Sequence, residues 1–308
     1  MSARHPTDPP AAARPVDHTI PSPSLVPTRL GRLAVRDIGP ARTVVDKTPV
    51  VLWHSMFVDG TSWIRVLPAL AAHRRVVVVD GPSHGASDPL VEAADIGACA
   101  DAAGDLLDAL DIGPVDWVGN AWGGHTGLHL AATQPGRIRR LVAISTPTHP
   151  ITPAVRAKVT VLAALYRGIG CRGPVVTGAS TALLTDATRA GDPTGVDLLV
   201  GPFGQADRAG MVRAIRTAIL RRTDLTWAAR RIDVPVLFVA TDDRGEWTPA
   251  EAQEAAAAMT DARVATVHRT RVLPMIEQPE ALGRVILDFW AEPLVRRAAA
   301  DRPDRAGH

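Results

Sequence analysis

The segment V-G-N-A-W-G-G at residues 118–124 carries the most specific chemical pattern in this sequence. It follows an apolar predicted strand and opens a predicted helix. Glycines two residues before and after the central residue are typical of a sharp turn that exposes a nucleophile at the end of a sheet. The central residue here is Ala121, and a methyl group cannot attack a carbonyl carbon or displace a halide. Covalent catalysis from this position is therefore excluded.

His149 is a second candidate for chemistry, because it lies just past the apolar run at residues 140–145. Ligands of open α/β sheets bind at the carboxyl ends of the strands. His149 is therefore either an acid or base at that edge or an ordinary loop residue. The other histidines show no metal-ligand spacing, and no dinucleotide or phosphate-binding glycine motif is present. The sequence predicts no cofactor and no metal.

Six short apolar runs, rich in β-branched residues and bounded by turn residues, are predicted strands. Their continuous apolarity favours burial on both faces of a parallel sheet. They cover residues 50–54, 75–80, 115–119, 140–145, 234–241 and 262–268. Predicted helices alternate with them at residues 62–72, 93–110, 122–134, 249–259 and 279–291. This alternation predicts an α/β fold built from βαβ units.

One long interval, residues 146–233, interrupts the alternation. It contains helix-like stretches at 154–167 and 208–221, separated by glycine- and proline-rich joints. A structureless loop of this length is uncommon in a compact domain. We therefore predict a helical insertion that lies over the main sheet.

Four segments, met in order along the chain, resemble the α/β-hydrolase superfamily. They are the turn at Ala121, L-W-H-S-M at 52–56, D-G-P-S-H-G-A-S at 80–87 and L-P-M-I-E-Q-P-E at 273–280. The tryptophan after Ala121 is most similar to the epoxide hydrolase and haloalkane dehalogenase branch, where the pattern is often G-x-D-W-G. The resemblance implies an α/β-hydrolase fold, a mostly parallel sheet flanked by helices, with the insertion as a helical cap.

The resemblance also implies where a catalytic triad would stand. Its nucleophile position is Ala121, and its histidine position is Val272, whose side chain cannot accept a proton. The triad acid would be Asp243 or Asp242, just after a predicted strand. His268, four residues before Val272, stays open as an alternative base or a plain loop histidine.

An oxyanion site can survive such losses, because main-chain N–H donors do not depend on the side chain. The resemblance implies donors at Trp122, after the turn residue, and at Met56. Ser55, Asn120 and His54 are the neighbouring candidates for substrate binding, with a structural role as the alternative for His54. We also expect the Trp122 side chain to line the substrate cavity.

Composition excludes several classes of function. The chain has 34 Lys and Arg against 32 Asp and Glu, so a net charge of +2 gives no electrostatic footprint for nucleic acid or membrane. No apolar run reaches the roughly 18 residues of a spanning helix. Two cysteines, Cys99 and Cys171, cannot make a disulfide scaffold. The N-terminus lacks the apolar stretch of a secretory signal, so we expect a cytoplasmic protein, with a homodimer left open.

The domain boundaries follow from these patterns. Residues 1–27 are rich in proline and are predicted to be a disordered arm. Residues 28–145 and 234–292 form the predicted core, residues 146–233 the cap, and residues 293–308 a flexible tail.

Three functional hypotheses remain. The first is a non-hydrolytic enzyme of lyase, cyclase or isomerase type, with Asp243 or His149 as its acid or base and a small, partly apolar organic substrate. The second is a pseudoenzyme that binds a ligand in the same cavity. The third is an ester, epoxide or haloalkane hydrolase that is inactivated at Ala121, naturally or by engineering, or that uses an unrecognised nucleophile.

Overall fold

The computed structural model describes residues 20–39, 46–243, 245 and 247–294. Within these residues eight strands form one sheet. They are β1 (Ser24–Thr28), β2 (Gly31–Ile38), β3 (Val50–Trp53), β4 (Val76–Val79), β5 (Val115–Asn120), β6 (Ile138–Ile144), β7 (Val236–Thr241) and β8 (Ala262–Val267). Their order is β1-β2-β4-β3-β5-β6-β7-β8. The pairs β1–β2 and β2–β4 are antiparallel and the others are parallel.

Helices cover both faces of this sheet. Those that follow the strands are α1 (Leu67–Ala71), α2 (Ile96–Ala109), α3 (Trp122–Thr133), α10 (Pro249–Ala257), α11 (Pro274–Glu277) and α12 (Pro279–Ala291). A 3-10 turn covers Gly60–Trp63. Strands β3, β4, β5 and β7 are buried at every position, as their unbroken apolar sequences require. The mostly parallel sheet flanked by helices confirms the predicted α/β-hydrolase fold.

The interval between β6 and β7 is helical, as predicted. It contains α4 (Pro153–Ile169), α5 (Pro174–Leu183), α6 (Asp186–Gly191), α7 (Pro193–Gln205), α8 (Arg208–Ile215) and α9 (Thr226–Ala229), with a π-helical turn at Arg216–Leu220. Local caps explain several starts, since the side chains of Thr152, Thr185 and Asp192 each accept a main-chain N–H in the first turn of a helix. No helix in the described ranges has the length and apolarity needed to cross a membrane.

The N-terminal boundary needs a correction. The predicted arm extends to residue 27, yet Ser24–Thr28 is strand β1, and it pairs with β2 through the register Ser24↔Val35. The search for continuous apolar runs missed β1 and β2. These strands form an antiparallel hairpin at the sheet edge, where exposed polar residues interrupt the apolar run. The rest of the predicted arm, residues 1–19, and of the predicted tail, residues 295–308, lie outside the described residues.

Candidate functional site

The turn at Ala121 has the predicted geometry. Ala121 joins β5 to α3 with φ 46° and ψ −102°, a conformation that an alanine rarely adopts. Its N–H donates to the Ile144 carbonyl at 2.8 Å. A Cβ atom on Gly119 would collide with the main chain of Gly123, and one on Gly123 would collide with the Trp53 carbonyl. The close approach of these backbones explains the glycines of the pattern.

Two main-chain donors are unengaged next to this turn. Trp122 is the first residue of α3, so its N–H has no partner within the helix. Among the described residues, neither its N–H nor that of Met56 donates a hydrogen bond. Ala121 itself is partly exposed. A carbonyl oxygen or small anion could accept from such donors, and the N-terminal end of α3 favours negative charge there.

His54 anchors the loop that carries Met56. Its Nδ1 lies 2.6 Å from the Ser55 carbonyl, and the Gly81 N–H donates to its Nε2 at 2.8 Å. Nδ1 therefore carries the proton. Burial lowers the pKa of His54 to about 4, so the ring is neutral at pH 7. These bonds favour the structural role for His54, and Ser55 is likewise buried.

The Trp122 side chain does not take the predicted place. It is 1% exposed and packs against the rings of Trp53, His54 and His84 at centroid distances of 5.9, 5.9 and 5.2 Å. It also lies against Gly81, where a Cβ atom would come within 2.7 Å of the indole. The expectation that this side chain lines the substrate cavity is therefore corrected, because the indole fills the core beneath the turn.

Asn120 connects the turn to the loop that follows β8. Its Nδ2 donates to the carbonyls of Ile144 at 3.2 Å and Val272 at 3.0 Å, while its buried Oδ1 has no partner among the described residues. The main chain of Val272 thus lies beside the residue that precedes Ala121. The structure thus brings the Ala121 turn and Val272 together, and the side chains of these two residues cannot transfer a proton.

Asp243 is paired with a guanidinium rather than an imidazole. The Arg271 Nη2 lies 3.0 Å from its Oδ2, and the Arg271 Nε donates to its main-chain oxygen at 3.3 Å. Arg271 has a buried side chain that also donates to the Thr181 carbonyl in α5. An ion pair with a buried arginine therefore engages the Asp243 carboxylate, and its role as an acid or base stays a prediction.

His149 faces α10. Its Nδ1 lies 3.1 Å from the Pro150 carbonyl, and its Nε2 lies 3.9 Å from the Glu251 carboxylate. The loop before it is held to α3, because the His125 Nε2 lies 2.9 Å from the Pro147 carbonyl. His149 is thus at the predicted edge of the sheet, and its ionisable neighbour is Glu251.

His268 pairs with Asp242 at the surface. Its Nδ1 lies 2.7 Å from Asp242 Oδ2, and the Arg269 N–H donates to the other oxygen at 2.7 Å. Burial opposes ionisation of Asp242, yet these hydrogen bonds outweigh it and lower its pKa. The His268 side chain is 72% exposed at the end of β8, three strands from β5 and so roughly 14 Å away. The alternative of His268 as a base stays a prediction, with Asp242 as its ionisable partner.

No cluster of three or more His, Cys, Asp or Glu in the described part of the chain could hold a metal ion. Cys99 and Cys171 are both free.

Sequence reasoning missed the contribution of Glu277. One of its oxygens accepts from the Thr185 N–H and hydroxyl, and the other from the Thr270 hydroxyl and the Arg271 N–H, all at 2.8 Å. A single carboxylate thereby joins the helical insertion to the core. The L-P-M-I-E-Q-P-E segment contains Glu277, so the sequence pointed to this residue. It did not reveal the role, because the partner Thr185 is far away in the sequence.

The insertion also contacts the loop that carries Met56. Phe57, next to Met56, packs on Phe203 of α7 at 4.8 Å, and Phe203 stacks on Tyr166 of α4 at 4.6 Å. An apolar lid of three aromatic rings therefore adjoins the loop that carries the Met56 amide.

The strand order, the strained turn and the insertion after β6 define an α/β-hydrolase type of protein. A family model described as the Alpha/beta hydrolase family matches residues 50–285, and the chain belongs to this family. The narrower likeness to the epoxide hydrolase and haloalkane dehalogenase branch stays a prediction.

Solved structures show the same fold. The enol-lactonase from Burkholderia xenovorans LB400 superposes with a TM-score of 0.79 at 24% identity, covering 87% of this chain and 100% of that one. A hydrolase from Pseudomonas aeruginosa PA01 gives a TM-score of 0.77 at 26% identity, covering 88% and 98%.

Curated relatives match over shorter stretches. A 2-hydroxymuconate semialdehyde hydrolase from Pseudomonas sp. strain CF600 is 36% identical over 115 residues, 35% of this chain and 41% of the relative. The dihydrolipoyllysine-residue acetyltransferase component of the acetoin cleaving system of Pseudomonas putida is 37% identical over 98 residues, 32% and 26%. The chain thus spans less than half the length of either relative.

Proposed function

We propose that this member of the family is a non-hydrolytic enzyme that polarises the carbonyl group of a small, partly apolar organic substrate. The reaction class is a lyase, cyclase or isomerase. The observation that carries the proposal is the pair of unengaged N–H groups, of Trp122 and Met56, beside a strained turn that bears no nucleophile. Donors fixed in this way stabilise an oxyanion without covalent attack, an effect worth about 10²–10³ in rate for one donor.

A reaction of this class draws its nucleophile or leaving group from the substrate itself. A cyclisation forms its new bond within one molecule, and an elimination or isomerisation moves a proton and an electron pair within it. The enzyme then needs a site that fits the substrate, two N–H donors for the oxyanion and at most one acid or base. With Asp243 paired to Arg271, we propose His149 for that step, with the Glu251 carboxylate 3.9 Å from its Nε2.

The first experiment looks for turnover. The unmodified protein is incubated with a metabolite extract of its host and compared by mass spectrometry with a heat-killed control. We expect one species to be consumed while a product of equal mass, or two products of the same total mass, appears. A product heavier by one water would mean hydrolysis and would contradict the proposal.

A second experiment tests the two N–H donors directly. Met56→Pro deletes one N–H, whereas Met56→Leu keeps it with a side chain of similar volume. The hydrate of an aryl trifluoromethyl ketone is the probe, and its binding is followed by fluorine NMR. Loss of one donor to a charged or strongly polar oxygen should weaken binding about tenfold or more in the proline variant alone. Equal binding by both variants, with both folded by circular dichroism, would count against the site.

The acid–base role of His149 is tested once a substrate is known. His149→Ala should abolish turnover while the melting temperature stays unchanged. His73→Ala, at an exposed histidine after α1, is the matched control. Full turnover by the His149 variant would remove it from the mechanism.

The second candidate function is ligand binding without chemistry. The Asp243–Arg271 ion pair favours it, because this pair removes an acid from the sheet edge. The metabolite experiment separates the two functions, since a binding protein retains one compound chemically unchanged.

An inactivated hydrolase is the third candidate, and restoration tests it. Ala121→Ser with Val272→His would restore a nucleophile and a base. We expect no esterase activity toward p-nitrophenyl acetate above that of Ala121→Ser alone, because Arg271 still occupies Asp243. Clear activity in the double variant would favour the hydrolase.

A further inference from the structure

The outer face of α4 is apolar although it faces solvent. Val161, Leu165 and Ile169 recur every four residues, and they are 60%, 40% and 43% exposed. The exposed residues beside them on this face are Ala154, Ala157, Lys158, Ala164 and Gly168. The inner face is apolar too, with Ala163 and Tyr166 buried. A helix that is hydrophobic on both faces is normally covered on both.

The charges of α4 are all of one sign. Arg156, Lys158 and Arg167 are its ionisable residues other than Tyr166, and Pro153–Ile169 contains no Asp or Glu. At about 100° per residue, Lys158 projects between Leu165 and Ile169, whereas Arg167 lies about 120° around the helix from Val161. Within the described residues neither of these two side chains makes a hydrogen bond or ion pair. An exposed apolar face with free cations on it and beside it is typical of a helix that lies in a membrane interface.

We propose that the outer face of α4 docks on an anionic lipid surface. Val161, Leu165 and Ile169 would enter the boundary between headgroups and acyl chains, while Lys158 and Arg167 meet the anionic headgroups. The net charge of the whole chain predicts no membrane binding, but the local field of one helix decides the contact, because surface charges act only within about a Debye length. Peripheral docking needs no spanning helix.

A polar cavity at the end of α4 supports the lipid assignment independently. It measures about 330 Å³, and its charged lining residues are Arg172, Arg208 and Asp207. The Asp207 carboxylate already accepts from the Gly210 N–H, and the Arg208 Nη1 donates to the Gly168 carbonyl at 3.3 Å. Ile169 lines this cavity too, so two guanidinium groups that can bind a headgroup phosphate lie next to the apolar stripe.

The same charges disfavour a second copy of the chain as the occupant. Two α4 helices packed about a twofold axis would bring cations against cations, with no acidic residue on either helix to pair them. An anionic bilayer has the complementary charge over its whole surface.

The test uses the full chain and two kinds of vesicle. One is pure phosphatidylcholine and the other contains about 30% phosphatidylglycerol. In flotation assays we expect binding to the anionic vesicles alone, lost when salt rises from about 50 mM to about 500 mM. Binding to neither vesicle, or to both equally, would overturn the proposal.

Matched variants assign the binding to α4. Val161→Asp with Leu165→Asp should lower vesicle partition at least tenfold, because two buried apolar groups are lost and two anions are gained. The control is Val91→Asp, which changes an 88% exposed valine outside the insertion. Equal losses in both variants would contradict the assignment.

Charge reversal gives a second arm. Lys158→Glu with Arg167→Glu should lower partition at least tenfold, at about fivefold per cation removed. Arg230→Glu with Arg284→Glu makes the same change in net charge at exposed positions outside α4. If inorganic phosphate binds and Arg172→Ala abolishes this while vesicles are ignored, the cavity takes a free anion and the lipid proposal fails. If sedimentation instead shows a dimer that the aspartate variants dissociate, a second copy is the occupant.

Discussion

The turn at Ala121 and the junction around Arg271 and Glu277 lie close together, but they differ in what their side chains do. At the turn the backbone is specialised, with a strained alanine and unengaged amides, while the neighbouring side chains are neutral and buried. At the junction two charged side chains, Arg271 and Glu277, join the core to the insertion through several hydrogen bonds.

The comparison shows that the charged side chains belong to the junction and not to the turn. Asp243, one of the two expected acids, takes part in the junction through Arg271. Arg271 directly precedes Val272, the expected histidine position, and its guanidinium is a partner of this carboxylate. The turn has unengaged backbone donors, while the Asp243 carboxylate belongs to the junction. The predictions below separate these two roles.

The largest change in the free energy of unfolding should come from lowering the pH, because buried histidines lie around the turn. Burial lowers the pKa of His54 to about 4 and of His84 and His125 to about 3. The unfolded chain, with histidines near pKa 6.5, binds more protons between those values. Stability is therefore complete above about pH 6.5 and falls on acidification, by up to about 1.4 kcal/mol per pH unit for each histidine.

Urea unfolding at pH 7 and pH 5 measures this slope. His125→Gln keeps a donor for the Pro147 carbonyl but removes one titrating group, so its slope should be shallower by about one proton. His73→Gln, at an exposed site, should leave the slope unchanged. A wild-type protein equally stable at both pH values would show that the buried rings do not stay neutral.

The next effect should come from the junction. Arg271→Met removes the partner of Asp243 and should cost about 3 kcal/mol in the free energy of unfolding. Adding Asp243→Asn should recover part of that loss, because it removes a carboxylate that has lost its arginine. Chemical denaturation of the two single variants and the double variant gives the coupling. Strict additivity of the two changes would mean that the ion pair is not a functional unit of the junction.

Glu277→Ala should cost about 2 kcal/mol, since four donors lose a charged acceptor. Limited proteolysis should then cut the insertion before the core. Glu280→Ala, an exposed neighbour in α12, should be neutral. Similar losses of stability from both substitutions would mean that Glu277 does not stabilise the junction.

The smallest predicted effect is a gain in stability, whereas the preceding substitutions lower it. Ala121→Gly relieves the strain of φ 46° and should stabilise the protein by roughly 0.5–1 kcal/mol, after the entropy cost of glycine is subtracted. Ala255→Gly, inside α10, should destabilise it by up to about 1 kcal/mol. Thermal unfolding of both variants checks the contrast. A destabilised Ala121→Gly variant would mean that the turn is not strained.

Much of the architecture could be predicted from local patterns. The strands at residues 50–54 and 234–241 and the helix at 122–134 were recognisable because each is a continuous apolar or helical run. The hairpin of β1 and β2 was not recognisable. Its stability comes from the register with β4 and from the buried Arg36–Asp80 ion pair, and both join distant segments.

The sequence by itself determined that the turn has no nucleophile and that its glycines must allow a close approach of backbones, because both facts depend on residue type at short spacing. Only the tertiary structure decided that Asp243 pairs with Arg271, that Trp122 fills the core and that Glu277 holds the insertion. Those outcomes depend on which side chains meet after the sheet has assembled, and short-range spacing carries no information about such meetings.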